Sequence, residues 1–188
     1  MVYTPMKAML LPVLFTFALV TMLPAQTCRE VVRDASGRVV QTIERQKQAG
    51  GTERAVIRDA SGRVTGTATT QASGGSTTRT QYRDASGRSA GSATTHGNAS
   101  GSSHTTYRDA SGRVAGSADT SKVSGSGSRT QYRDSSGRVT GSETTSGTSG
   151  IISGTRRDAS GRVTGSSSAT GKCQGAVRVP VPSPDAKK

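Results

Sequence analysis

The residues with the most chemistry in this chain recur on a beat. Arg-Asp-Ala-Ser-Gly-Arg begins at Arg33, Arg58, Arg83, Arg108 and Arg157, and a variant with Ser135 begins at Arg133. The starts are 25 residues apart four times and 24 once. Each copy holds two guanidiniums and one carboxylate, a net positive charge. Arginine presents a planar fork of donors that matches carboxylate, phosphate and sulfate groups. If the copies stack regularly, Arg33, Arg58, Arg83, Arg108, Arg133 and Arg157 form a ladder with rungs about 10 Å apart, two strand spacings. Such a ladder suits an anionic polymer: DNA, lipopolysaccharide or an acidic polysaccharide. The second arginine of each copy is expected to pair with its cross-turn aspartate, an exposed contact worth little energy.

Other reactive types are sparse. His96 and His104 are the only histidines, both near one stretch between motifs. A zinc site needs further ligands at suitable spacing, and none is present, so they read as loop polar residues. Serine is abundant, but serine–histidine–aspartate catalysis also needs a defined pocket. Calcium loops want several acids, whereas each repeat has one aspartate, already claimed by its turn. No catalytic residue, metal ligand or cofactor is therefore assigned, and the chain reads as a non-enzyme.

Cys28 and Cys173 each lie five residues before an arginine, Arg33 and Arg178, that fits the same repeat position. An exported chain with two cysteines favours a disulfide. An open meander of about twelve strands would part its ends by roughly 50–60 Å. A disulfide tolerates about 7 Å between Cα atoms. Either the sheet curls until its first and last strands meet, the preferred reading, or the cysteines join neighbouring molecules end to end. A ring of thirteen strands would close on a parallel pair.

The positioning element is a hairpin. In the third copy Asp84 suits the first position of a type I turn, Ala85 and Ser86 its centre, and Gly87 the left-handed residue of a three-residue loop. The Thr-, Val- and Tyr-rich flanks suit pleated strands. This turn sets Asp84 opposite Arg88, Arg83 opposite Ser89 and Tyr82 opposite Ala90. One face then carries Val32, Ile57, Tyr82, Tyr107 and Tyr132, a slot that Arg156 breaks. The other carries the leading arginines opposite Val39, Val64, Ser89, Val114, Val139 and Val163. Gly66, Gly91, Gly116, Gly141 and Gly165 signal a bulge or a close backbone approach. Stretches such as Gln71–Ser76 and His96–Gly101 read as loops, and the one-residue shortening falls between Ser142 and Thr155.

Residues 1–25 read as a secretory signal. Lys7 precedes an apolar run ending at Leu23, and Ala25 offers a small residue for cleavage. Pro12 and the short run disfavour a membrane anchor, which needs roughly 20 apolar residues. Ala25-Gln26-Thr27 before Cys28 departs from a lipoprotein signal. The whole chain carries +13, and removing Lys7 with the signal leaves +12. Residues 26–179 form the repeat domain, and 180–188 a proline-rich basic tail unable to continue a ladder. A membrane barrel would need an apolar lipid face and aromatic girdles, and the strands show neither.

Tyr82-Arg-Asp-Ala-Ser-Gly-Arg-Ser and Tyr132-Arg-Asp-Ser-Ser-Gly-Arg-Val-Thr140 resemble the YD repeats of RHS-type proteins. Those read roughly Tyr-Asp-x-x-Gly-Arg-Leu-Thr. The likeness covers most of residues 28–165 and implies an extracellular β-hairpin repeat. This chain departs by inserting an arginine between Tyr and Asp, by a longer period and by lacking the family's second aromatic. Its shell and toxin regions are absent too, so encapsulation does not carry over. Choline-binding repeats share the hairpin turn, but their Trp-rich pockets are missing.

The expected fold is all-β: six tandem hairpin repeats of about 25 residues forming a meander, a solenoid or a curled, closed sheet. The competing composition is that of a largely disordered chain, since only 30% of residues are hydrophobic. The expected role is structural or adhesive, at the cell surface or in the periplasm, with self-association through sheet edges or disulfides. The alternative is a polyanion-binding module using the arginine ladder.

Overall fold

The computed structural model describes residues 27–123, 125–148 and 150–171. The expected signal at 1–25, Cys173 and the tail at 180–188 lie outside the described residues. Twelve strands follow in order: β1 (Thr27–Asp34), β2 (Val39–Lys47), β3 (Glu53–Asp59), β4 (Val64–Ala72), β5 (Thr77–Asp84), β6 (Ser89–Gly97), β7 (Ser103–Arg108), β8 (Val114–Lys122), β9 (Ser128–Asp134), β10 (Val139–Thr148), β11 (Ile151–Asp158) and β12 (Val163–Gly171). Each pairs antiparallel with its sequence neighbours, and β1 pairs with β12, so the meander closes into a barrel. The disordered and solenoid readings fall. So does a stack of six independent units, because no hairpin has a free side and the barrel folds as one sheet. A closing pair between strands of opposite direction replaces the parallel pair expected of a thirteen-strand ring.

Local chemistry sets the six motif turns. In the third, the Gly87 amide donates to the Asp84 carbonyl at 3.0 Å and the Asp84 amide to the Arg88 carbonyl at 2.9 Å. Gly87 sits at φ 78°, a left-handed conformation that a side chain would strain. This is the expected type I turn with its glycine bulge, and the same two bonds recur at Asp34, Asp59, Asp109, Asp134 and Asp158.

One residue beyond the turn the expected register fails. Tyr82 pairs with Gly91, not Ala90, because a bulge intervenes between the Arg83↔Ser89 and Tyr82↔Gly91 pairs. The extra residue recurs in every motif hairpin, for example Val40 on β2, opposite the step from Val32 to Arg33 in β1. The glycine after the bulge also meets the expected close approach. A Cβ at Gly66 would lie 2.7 Å from the Arg83 carbonyl oxygen, and one at Gly165 would strike the Arg33 carbonyl across the closing seam.

The twelve registers close consistently. A line followed from strand to strand returns to β1 about 12 residues along, a stagger equal to the strand number. That ratio gives a strand tilt of about 36°. Each hairpin contributes two residues of stagger, an even step, so one parity of side chains faces inward all the way round. Equivalent residues therefore lie at one level, and what a flat sheet would spread into a ladder becomes a ring.

The inward parity is the predicted slot. Val32 and Ile43 are buried with Ala55 and Ala68, with Ile57 and Tyr82 packed against them. Pairs between hairpins match small with large: Ala68↔Tyr82, Ala93↔Tyr107, Ala118↔Tyr132. Beneath them hydroxyls pair across the same seams, Thr70 with Thr80 and Thr95 with Thr105 at 2.8 Å, Thr120 with Thr130 at 2.9 Å. Many outward positions are polar, as Thr67 and Thr69 on β4 or Ser92 and Thr94 on β6, while exposed valines such as Val114, Val139 and Val163 stand near the motif turns. No apolar belt of the kind a membrane barrel requires runs round the described strands.

The connections opposite the motif turns are shorter than expected. β4 runs on through Gln71 and Ala72, and β6 through His96 and Gly97. Between Thr148 and Ile151 only two residues remain, which locates the one-residue shortening in a turn, where length changes cost least.

Candidate functional site

An up-and-down barrel gathers alternate turns at the same end. All six motif turns therefore stand on one rim, carrying twelve arginines and six aspartates. The sequence distributes this charge evenly along the chain; the fold collects it in one crown.

Within the crown the two arginines of each motif do different things. The leading guanidinium folds back over its own turn and donates Nη1 to the glycine carbonyl. Arg33 reaches Gly37 at 3.0 Å, Arg58 reaches Gly62 at 3.1 Å, Arg83 reaches Gly87 at 2.8 Å and Arg108 reaches Gly112 at 2.9 Å. Arg133 reaches Gly137 at 3.1 Å and Arg157 reaches Gly161 at 3.0 Å. Arg133 is further tied to Gln131 at 2.8 Å and to Asp119 at 3.7 Å, and Arg58 lies 3.9 Å from Glu44. These residues point outward beside exposed Val114, Val139 and Val163, whose faces arginine stems can cover.

The trailing arginines were expected to pair with the turn aspartates; none comes within ion-pair distance among the described residues, although the charges of Arg38, Arg63 and Arg162 still help to lower the Asp34, Asp59 and Asp158 carboxyls. Each aspartate gives one carboxylate oxygen to backbone amides: Asp84 Oδ1 accepts from the Ser86 and Arg88 amides, both at 2.9 Å. An Asx-type turn offers those amides at short range, and an exposed guanidinium cannot compete with them. In three turns a serine hydroxyl adds a third bond, 2.7 Å from Ser36 to Asp34 and 2.6 Å from Ser61 to Asp59 and from Ser160 to Asp158. That hydroxyl bond, with the arginine and serine amides, holds the Asp34, Asp59 and Asp158 carboxyls below the usual range. Arg38, Arg63, Arg88, Arg113, Arg138 and Arg162 are all exposed. Their guanidiniums carry no hydrogen bond or ion pair among the described residues.

Inside the barrel two charged clusters interrupt the apolar slot. Arg45 donates Nη2 to Glu30 at 2.9 Å, with Glu53 4.0 Å from its Nε. Beyond the β1–β12 junction, Glu143 on β10 stands where Ala68, Ala93 and Ala118 stand in other hairpins, and faces Arg156, which stands where the tyrosines do. Glu143 is fully buried. It lies 3.8 Å from Arg156 and accepts from the Tyr132 hydroxyl at 3.1 Å and the Ser167 hydroxyl at 3.3 Å. Burial pushes the Tyr82 and Tyr107 phenols well above their ordinary value, keeping both neutral. Sequence reasoning saw Arg156 as a break; the missed signal was Glu143 replacing alanine at the facing position.

The histidines are strand residues, not loop residues. His96 on β6 and His104 on β7 are direct cross-strand partners on the outer wall. Asp119 faces His104 from β8 and bonds its Nδ1 at 2.6 Å. With Arg129 and Gln131 they line a polar groove of about 610 Å³ at the end away from the crown. No cluster of three or more His, Cys, Asp or Glu placed to hold a metal occurs among the described residues.

Cys28 is buried inside the barrel with Ala169 and Ile152 around it, opposite Gly171 at the closing seam. Comparison with known families, curated proteins and solved structures finds no match.

Proposed function

We propose that the chain is an exported, non-enzymatic barrel that binds an anionic polymer through its arginine crown. The supporting observation is the net charge and asymmetry of that rim: twelve arginines outnumber six aspartates, which are each held by amides through one oxygen, while six trailing guanidiniums face solvent. A field of one sign on one end attracts polyanions and orients their approach. Export rests on the signal-like residues 1–25, and the YD-repeat resemblance agrees with an extracellular setting. Affinity for heparin, DNA or lipopolysaccharide should fall steeply with salt, by roughly 10³ between 50 and 200 mM if six contacts form. Salt-independent binding, or none, rejects this reading.

A structural or adhesive role is the second reading. Fibre formation through strand edges loses its physical basis in a sheet that has no edge. What remains for it is tethering through the crown itself. Part of the same proposal is a bond between Cys28 and Cys173 within one molecule. Gly171 lies opposite Cys28, so the chain begins its last two steps toward Cys173 beside the partner sulfur. Non-reducing mass spectrometry of the secreted chain tests both the bond and the removal of residues 1–25.

A further inference from the structure

We infer that the trailing arginines, Arg38, Arg63, Arg88, Arg113, Arg138 and Arg162, are the ligand-contacting residues of the crown, that the leading six are turn caps, and that the ligand is an acidic polysaccharide. The inference rests on the crown being a polyanion site and adds which residues and which polymer.

The division of labour follows from the bonds. Every leading arginine already donates to a glycine carbonyl of its own turn, so a ligand must compete with that contact. Every trailing arginine is exposed and has its whole fork available. Because each aspartate is tied to amides, it holds its position and makes no direct contact with the trailing guanidinium, whose charge reaches Asp34, Asp59 and Asp158 only at longer range.

Polymer class follows from shape and from what the outer surface lacks. Neighbouring motif turns stand two strand spacings apart, about 10 Å, comparable with one disaccharide unit. Six such stations make a closed circle, and a flexible glycan with an anionic group on each disaccharide follows it from station to station. Duplex DNA is too stiff to bend round so small a ring. Single-stranded nucleic acid is gripped by aromatic platforms as well as by charge. Among the described residues the aromatics are Tyr82, Tyr107 and Tyr132, and all three occupy the inward slot.

The test uses the full secreted chain and three probes of matched charge: a heparin oligosaccharide, an oligothymidine and a DNA duplex. Two variants accompany it, one with the six trailing arginines changed to Gln, one with Arg33→Gln, Arg83→Gln and Arg157→Gln. The expected result is tenfold or greater preference for the oligosaccharide and a loss of about 100-fold or more in the trailing variant at low salt. Its circular dichroism and melting should be unchanged. The leading variant should melt earlier yet bind the oligosaccharide within about threefold of the parent once folded, the charge change being smaller. If the leading variant loses binding and the trailing one does not, the assignment of residues is wrong and the crown reading stands. Equal or tighter binding of either nucleic acid overturns the polymer class. A parent chain that binds none of the three in a salt-dependent way overturns the crown reading itself.

Discussion

Two stretches of the lumen wall solve one packing problem with different chemistry. From β4 to β9 each seam between hairpins sets an alanine against a tyrosine, with threonine hydroxyls paired beneath. From β10 round through β12 and β1 to β2 the same positions hold Glu143 against Arg156, Ser167 against Val32 and Ile43 against Ile57. The uniform stretch is filled by matched volumes and neutral hydroxyl pairs. The seam stretch adds two buried ion-pair clusters, Glu143 with Arg156 and Glu30 with Arg45, on either side of the β1–β12 junction. Identical hairpins would pair in any register that is a multiple of the repeat. Both pairs join sequence-neighbouring strands, β1 with β2 and β10 with β11, so they mark this stretch off from the uniform one without themselves crossing the β1–β12 seam.

The largest consequence should come from splitting the charged pair. Glu143 is fully buried and Arg156 only 25% exposed. Removing either alone, by Glu143→Ala or Arg156→Ala, should cost about 3–5 kcal/mol in urea unfolding because a buried charge is stranded. Making both changes toward the repeat consensus, Glu143→Ala with Arg156→Tyr, should return stability to the parent value or above it. A double variant as weak as the sum of its parts would mean that the two stretches are not alternative solutions.

Next in size is the seam backbone. Gly165→Ala pushes a methyl into the Arg33 carbonyl with no flexible side chain to give way, and should cost about 1–3 kcal/mol. Gly66→Ala, at 2.7 Å from Arg83 oxygen, should cost less. Thermal melts of the two separate them.

Smaller effects sharpen the contrast within the tyrosines. Tyr132→Phe deprives buried Glu143 of a donor and should cost about 1–2 kcal/mol. The Tyr82 hydroxyl is buried without a partner among the described residues, so Tyr82→Phe should be neutral or stabilising within about 0.5 kcal/mol. Equal losses at both positions would erase the distinction.

The smallest effect is acid sensitivity at the crown. Asp34, Asp59 and Asp158 have folded-state pKa values below the unfolded one, so each stabilises its turn above about pH 3.9. That contribution is lost as pH falls through the lower folded value. Amide exchange at Ser36, Ser61 and Ser160 should therefore stay slow below pH 3.9 and accelerate only further down. Acceleration already above pH 4 would contradict the bonded carboxylates.

How much of this the sequence discloses depends on range. The turn is legible because Asp84, Ser86 and Gly87 contact only one another and the residues beside them. The glycine after each bulge is legible as a type of feature, yet the extra residue at Ala90 is not, since a bulge leaves composition unchanged and shifts only the count. Parity survives that shift because Gly91 replaces Ala90 opposite Tyr82 without turning Tyr82 round. Closure is hinted at by the phase of Cys28 and Cys173, but an antiparallel seam needs the even strand number that the fold supplies. His104 and Asp119 lie fifteen positions apart in different hairpins, and only the register brings them to 2.6 Å. The aspartate–arginine contact does not form for a local reason: the amides two and four residues on already hold one carboxylate oxygen in place.

The central claim is that the first and last strands are hydrogen-bonded neighbours in one molecule. Backbone NOEs on isotope-labelled protein test it most directly. A closed barrel gives cross-strand contacts joining Val31 to Ser168 and Val32 to Ser167, antiparallel, with slow amide exchange along both strands. Fast-exchanging amides on β1 and β12 and no contacts between them would mean an open sheet, and the ring of arginines would be a line.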